Sequence, residues 1–171
     1  MSAIISAAYV AAIVAANVLT ERFGLVPVGF GLVTTAGTYA AAFVLISRNL
    51  TQDQIGRRRV LALMAVGIIL SYWLASPALA LASAVAFGLS EVADMAIYTP
   101  LRVKGRSRAV GTASTVGAVI DTVAFLWIAG FPIWAALPGQ LVVKVGMALV
   151  AALILRGAHE VLRQPVHAGS E

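Results

Sequence analysis

Three carboxylates stand where an apolar chain would be expected to have none. Glu91 and Asp94 fall in "GLSEVADMAIY" (88–98) and Asp121 in "GAVIDTVAFLW" (117–127), each among Ala, Val, Leu and Ile. At a helical repeat Glu91, Asp94 and Tyr98 share one stripe, with Ser90 beside it. Ser114 and Asp121, seven apart, share another face; Phe125 joins them and Thr122 adjoins. Asn17 with Glu21, and Gln140 with Lys144, are i, i+4 pairs. Carboxylates accept paired hydrogen bonds from adjacent N–H groups, amides and hydroxyls add donors and acceptors, and aromatic faces stack on flat rings. A guanine-like edge, a cationic amine, a proton or a hard metal ion all fit that chemistry, and the residue types do not choose among them.

The elements that must position these groups are read from composition. The chain has 171 residues, 61% hydrophobic and 11% charged, with a mean hydropathy of +0.96, which takes it out of the range of soluble domains. Six apolar stretches approach the length that crosses a bilayer as a helix: Ala3–Thr20, Pro27–Ile46, Val60–Ala75, Pro77–Tyr98, Val110–Gly130 and Leu137–Leu155. They are rich in Ala and Leu and lack strand alternation, so a closed barrel is not expected. The expectation is an all-α, polytopic membrane protein of one domain, residues 1–171.

The basic residues give the orientation. Arg48, Arg57, Arg58 and Arg59 lie between spans two and three, Arg102, Lys104, Arg106 and Arg108 between four and five, and Arg156 and Arg163 after six. These are ten of the twelve cations, all on one side if there are six spans, and the positive-inside rule makes that side, with both termini, cytoplasmic. Topology therefore accounts for the net charge of +5, and no nucleic-acid partner is expected. Absence of Cys excludes disulfides and thiol nucleophiles. No cleaved signal peptide is expected, because the N-terminus lacks a basic region before its apolar run.

A carboxylate at mid-bilayer costs at least about 2.5–3.5 kcal/mol without a partner or a watery cavity. The plainest account has Lys144 neutralising one acid, with the others acting as hydrogen-bonded glue between helices. Three deep acids against one deep cation count against it, and favour a hydrated cavity holding a polar ligand. Tyr98 and Trp127 read as interfacial or packing aromatics.

The segments "AANVLTERFG", "SEVADMAIYTPLR" and "RAVGTASTVGAVIDTVAFLWIAGF" resemble the signature regions of the vitamin uptake transporters, a family mostly described as queuosine precursor transporters of the YhhQ type. The resemblance implies a six-helix bundle similar to the substrate-binding components of energy-coupling-factor transporters, located in the inner membrane, and uptake of 7-cyano- or 7-aminomethyl-7-deazaguanine. Carried over by position, it implies that Asn17, Ser90, Glu91, Asp94, Ser114 and Asp121 line the site, with Thr122 and Phe125 in the same motif; the polar pair Gln140 and Lys144 completes the candidate set. One or two of the acids would bind the N–H edge of the base, Asn17 would fix a ring acceptor, and Phe125 or Trp73 would cover the ring. The alternatives are a substrate-binding component of an energy-coupling-factor system and a proton or cation pathway.

Ala3, Ala7, Ala11 and Ala15, flanked by Ala8, Ala12 and Ala16, form small-xxx-small ladders. The ladder reads first as intramolecular packing; a second copy of the chain or a coupling subunit are the partners it could serve. No enzyme activity is expected: His159 and His167 lie beyond the last span, neither GxSxG nor HExxH occurs, and "GRRR" lacks P-loop spacing. No cofactor is expected, and without His or Cys in the spans zinc and copper are disfavoured.

Overall fold

The computed structural model describes residues 2–101, 103 and 106–163. Among these the chain forms α1 (Ser2–Phe23), a hairpin of β1 (Leu25–Gly29) and β2 (Leu32–Thr35), then α2 (Thr38–Ile55), α3 (Arg57–Leu74), α4 (Pro77–Leu101), α5 (Arg106–Ile128) and α6 (Ile133–Arg163). The structure is thus predominantly helical. Its most extensive helix pairing joins α4 and α5, and α1 packs on both α2 and α3.

One helical segment, Ala3–Phe23, is long and apolar enough by composition to cross a membrane, and shorter apolar stretches occupy Pro77–Ala93, Thr115–Ile128 and Ile133–Ala148. The outer surface is apolar: Ile69, Trp73, Leu81, Val92, Trp127 and Trp134 are all exposed. A face of this kind suits lipid better than water.

The continuous helix expected over Pro27–Ile46 is corrected. Its first half is the antiparallel hairpin, pairing Leu25 with Thr35 and Pro27 with Val33. Turn chemistry overrides hydropathy here. Phe30 (φ 54°) and Gly31 (φ 73°) form a two-residue turn with both residues left-handed, and Gly29 (φ 101°) adds a third positive φ, the geometry that matches strand twist in a tight hairpin. Pro27, which cannot donate to a ladder, is tolerated because both strands are edges. The helix then starts at Thr38 and runs to Ile55, past the expected end.

Two glycines let backbones touch. A Cβ on Gly37 would overlap the Ala16 carbonyl of α1, and one on Gly139 the Val33 carbonyl of β2. The hairpin is therefore seated against α6 and the start of α2 against α1. Toward the other end of the bundle, Tyr9, Ile13, Val60 and Met64 form a buried apolar cluster, with Val44, Ile55, Leu63 and Phe87 packed on it.

Candidate substrate site

A cavity of about 100 Å³ lies between all six helices and the end of the hairpin. Its polar lining comes from Asn17, Thr20, Thr35, Thr38, Ser83, Asp121, Gln140 and Lys144, and Phe87 and Phe125 contribute rings. Each polar group is there because its helix face leaves it no other place: Asn17, Gln140 and Lys144 are buried, and a buried polar group must find partners or a polar space.

On α5 and α6 the centre is an ion pair. Lys144 Nζ donates to Asp121 Oδ2 at 2.9 Å and to Thr122 Oγ1 at 2.7 Å. Thr122 in turn donates to the Ala118 carbonyl at 2.8 Å, so its one proton is spent. The lysine side chain is 5% exposed and the aspartate 21%. Both side chains line the cavity, the carboxylate the more exposed of the two. Asp121 Oδ1 has no protein hydrogen-bond partner among the described residues.

Gln140 occupies the same wall. Its Nε2 donates to Thr35 Oγ1 at 3.0 Å, and Thr35 and Thr34 both meet Thr38 Oγ1, at 2.9 and 2.8 Å. These hydroxyls hold the amide plane, leaving its carbonyl oxygen and second N–H for a ligand. β2 lies directly on Gly139, which is how a residue from the hairpin comes to orient a side chain of α6.

Asn17 works differently from expectation. Nδ2 donates to the Ile13 carbonyl (3.3 Å) and to Ser71 Oγ (3.0 Å), and Oδ1 accepts from Ser83 Oγ (2.7 Å). Ser71 passes its own proton to the Gly67 carbonyl at 2.8 Å. Both amide protons are spent, so Asn17 cannot donate to a ring acceptor without losing a structural bond; it retains one acceptor lone pair. Its role is to tie α1 to α3 and α4 at the cavity wall.

Glu91 is not at the cavity. Its carboxylate pairs with Arg48 of α2 and, at 3.4 Å, with Arg57 at the start of α3. The count of three deep acids against one deep cation is corrected accordingly: α2 extends beyond Ile46 and delivers Arg48 to Glu91. Ser90 is buried and Thr122 fully so, but neither lines the cavity. Trp73 does not cover a ring; it is 78% exposed and meets Tyr72 edge-on. Phe125 does line the cavity and stacks on Phe131, with centroids 6.4 Å apart. Glu21 is exposed, and the stripe of Asn17 continues instead through Thr20, which accepts from Gly37 N at 3.2 Å. The side chains of Asp94, Tyr98 and Ser114 lie outside the described residues.

Thr35, Thr38, Ser83, Phe87 and the two arginines are the residues that spacing did not select. The threonines straddle a strand and a helix and have no single period. Ser83 stands seven before Ser90 on one stripe of α4, a signal that was there to be used.

Helices with an apolar exterior around a cavity of carboxylate, ammonium, amide and hydroxyl groups fit a membrane protein with a polar site between its helices. The sequence agrees. Residues 6–157 match the family described as "Putative vitamin uptake transporter", and the chain belongs to that family. No curated protein and no solved structure matches it.

Proposed function

We propose that the chain carries a queuosine precursor, 7-cyano- or 7-aminomethyl-7-deazaguanine, into the cell across the inner membrane, and that the cavity is the binding site. The observation that carries this reading is the convergence of Asp121, Gln140 and Lys144 with two phenylalanines on one cavity. Asp121 Oδ1 and the Gln140 carbonyl accept from the ring N–H and exocyclic amine of the base; the spare Gln140 N–H and the threonine hydroxyls answer its carbonyl. Phe87 and Phe125 provide flat apolar surface for the ring. Six crossings with both termini cytoplasmic are supported by the one-sided placement of ten basic residues.

The test is uptake of labelled cyano and aminomethyl precursors into proteoliposomes that contain only this chain, with guanine as competitor and Asp121→Asn as control. Saturable uptake lost in the variant is the expected result. Binding in detergent without uptake would instead make the chain the binding component of a system energised by another subunit. Neither binding nor uptake would overturn the substrate assignment, and conductance in the same vesicles would then point to a cation pathway.

A further inference from the structure

Glu91 holds together three helices at a level where no ligand is needed to explain it. Arg48 comes from α2, Arg57 from α3 and Glu91 from α4. Glu91 is 8% exposed, and the Arg48 guanidinium also lies 5.5 Å from the ring centroid of Phe87, a cation–π distance. Phe87 also lines the cavity. On α4, Glu91 is one turn beyond Phe87, a rise of about 6 Å. On α2, Arg48 follows the cavity residues Val44 and Leu45 by about one turn.

The apolar cluster of Tyr9, Ile13, Val60 and Met64, with Phe87 packed against it, shares Ile13, Met64 and Phe87 with the cavity lining, and along α3 Val60 and Met64 fall between Arg57 and the cavity residue Ile68. From the cavity toward the basic end the order is thus polar space, apolar plug, ion cluster. The plug blocks a polar solute, and the ion cluster clamps the helices that carry the plug.

The cluster is not fully satisfied. Tyr9 Oη and Arg48 Nε are buried with no hydrogen-bond partner. A permanent structural tie would be expected to use those atoms, because each costs roughly 1–3 kcal/mol when left unpaired. A tie that forms and breaks gains from their incompleteness, which brings the closed and open states nearer in free energy.

We infer that Arg48, Arg57 and Glu91 form a latch that holds the cavity shut toward the basic face of the bundle, and that its opening is the release step of transport. This rests on the proposed transport function, though not on which solute is carried. Glu91, expected from sequence to touch the ligand, instead governs access to it. When the latch parts, the guanidiniums and the carboxylate turn to water at the membrane surface, α4 moves relative to α2 and α3, and Phe87 leaves the plug.

The chain contains no Cys, so a single cysteine introduced by Ala41→Cys on the cavity wall reports access. The full chain is reconstituted, and labelling by a membrane-impermeant maleimide is timed separately from each face. Added to the Ala41→Cys background, Glu91→Gln should raise labelling from the basic face roughly tenfold or more, as loss of one member of a buried pair permits. Arg57→Gln should raise it less, since this arginine is half exposed and held at 3.4 Å; it also serves if Glu91→Gln does not fold. Unchanged labelling in folded Glu91→Gln or Arg57→Gln protein would overturn the latch. A latch that responds as expected in a protein that takes up no deazaguanine would leave the latch standing and remove the substrate assignment.

Discussion

Replacing Lys144 by Met removes the ammonium but keeps an unbranched apolar stem of similar length, so the packing of α6 is little changed. Asp121 and Thr122 then lose bonds of 2.9 and 2.7 Å. Removing one partner of a fully buried pair costs about 3–5 kcal/mol. Because the Asp121 side chain is 21% exposed and lines the cavity, water reaches part of the stranded charge and the cost falls to roughly 2–3 kcal/mol. At roughly 2–4 °C per kcal/mol for a chain of this size, the melting temperature in detergent should drop by roughly 4–12 °C. Asp121→Asn strands the ammonium instead and should cost a similar amount. The double variant Lys144→Met with Asp121→Asn leaves no charge and should cost no more than either single variant, a coupling of roughly 2–3 kcal/mol. The uptake measurement separates two roles of the pair: if it is a ligand site, the double variant is stable but transports nothing; if it is only helix glue, uptake returns with stability. Strictly additive melting losses would refute the pairing itself.

Two other substitutions address the walls of the cavity. Gly139→Ala should destabilise by at least about 1–3 kcal/mol and abolish uptake, because its Cβ meets the Val33 backbone; Gly31→Ala, with open space around it but φ of 73°, should cost only about 1 kcal/mol and preserve uptake, both checked by thermal melting and transport on the same samples. Asn17→Ala should lower stability by roughly 2–4 kcal/mol, leaving Ser83 and Ser71 without their partner, and Ser83→Ala should lower it less; equal losses in melting would remove Asn17 as the junction of three helices.

Spacing alone brought Gln140, Lys144 and Asp121 to notice, because each is an ionic or amide group on an otherwise apolar helix and a buried helix face admits few places for it. The partners of Glu91 were hidden by a different cause. Arg48 and Arg57 stand at the edges of apolar runs, where a cation is already explained by membrane orientation, so nothing marked them as belonging to an acid 34 residues or more away. Hydropathy also ran straight through Pro27–Ile46. Only the glycines flanking Phe30 told of a turn, and a hairpin of apolar residues has no contrast with an apolar helix on a hydropathy scale. The threonines 34, 35 and 38 became one cluster because the chain changes from strand to helix between them, a transition no single repeat describes.

α4 joins the cavity to the latch, and this constrains how a solute could drive its own release. A ligand that binds the closed and open forms equally well shifts nothing, however tightly it binds. It must touch something that differs between them. Asn17 is held by three helices and Lys144 by Asp121 and Thr122, so those groups have little freedom to report occupancy. Phe87 has that freedom: it lines the cavity, and its ring centroid also lies 5.5 Å from the Arg48 guanidinium. A flat ring resting on Phe87 competes for the surface that the guanidinium uses, and so weakens the contact that orients Arg48 toward Glu91. On the latch reading, Phe87→Leu keeps the apolar plug but removes the cation–π contact and the stacking surface together. It should therefore raise labelling of the Ala41→Cys probe without ligand and abolish any further increase when ligand is added. A ligand-induced increase that survives in Phe87→Leu would place the coupling elsewhere.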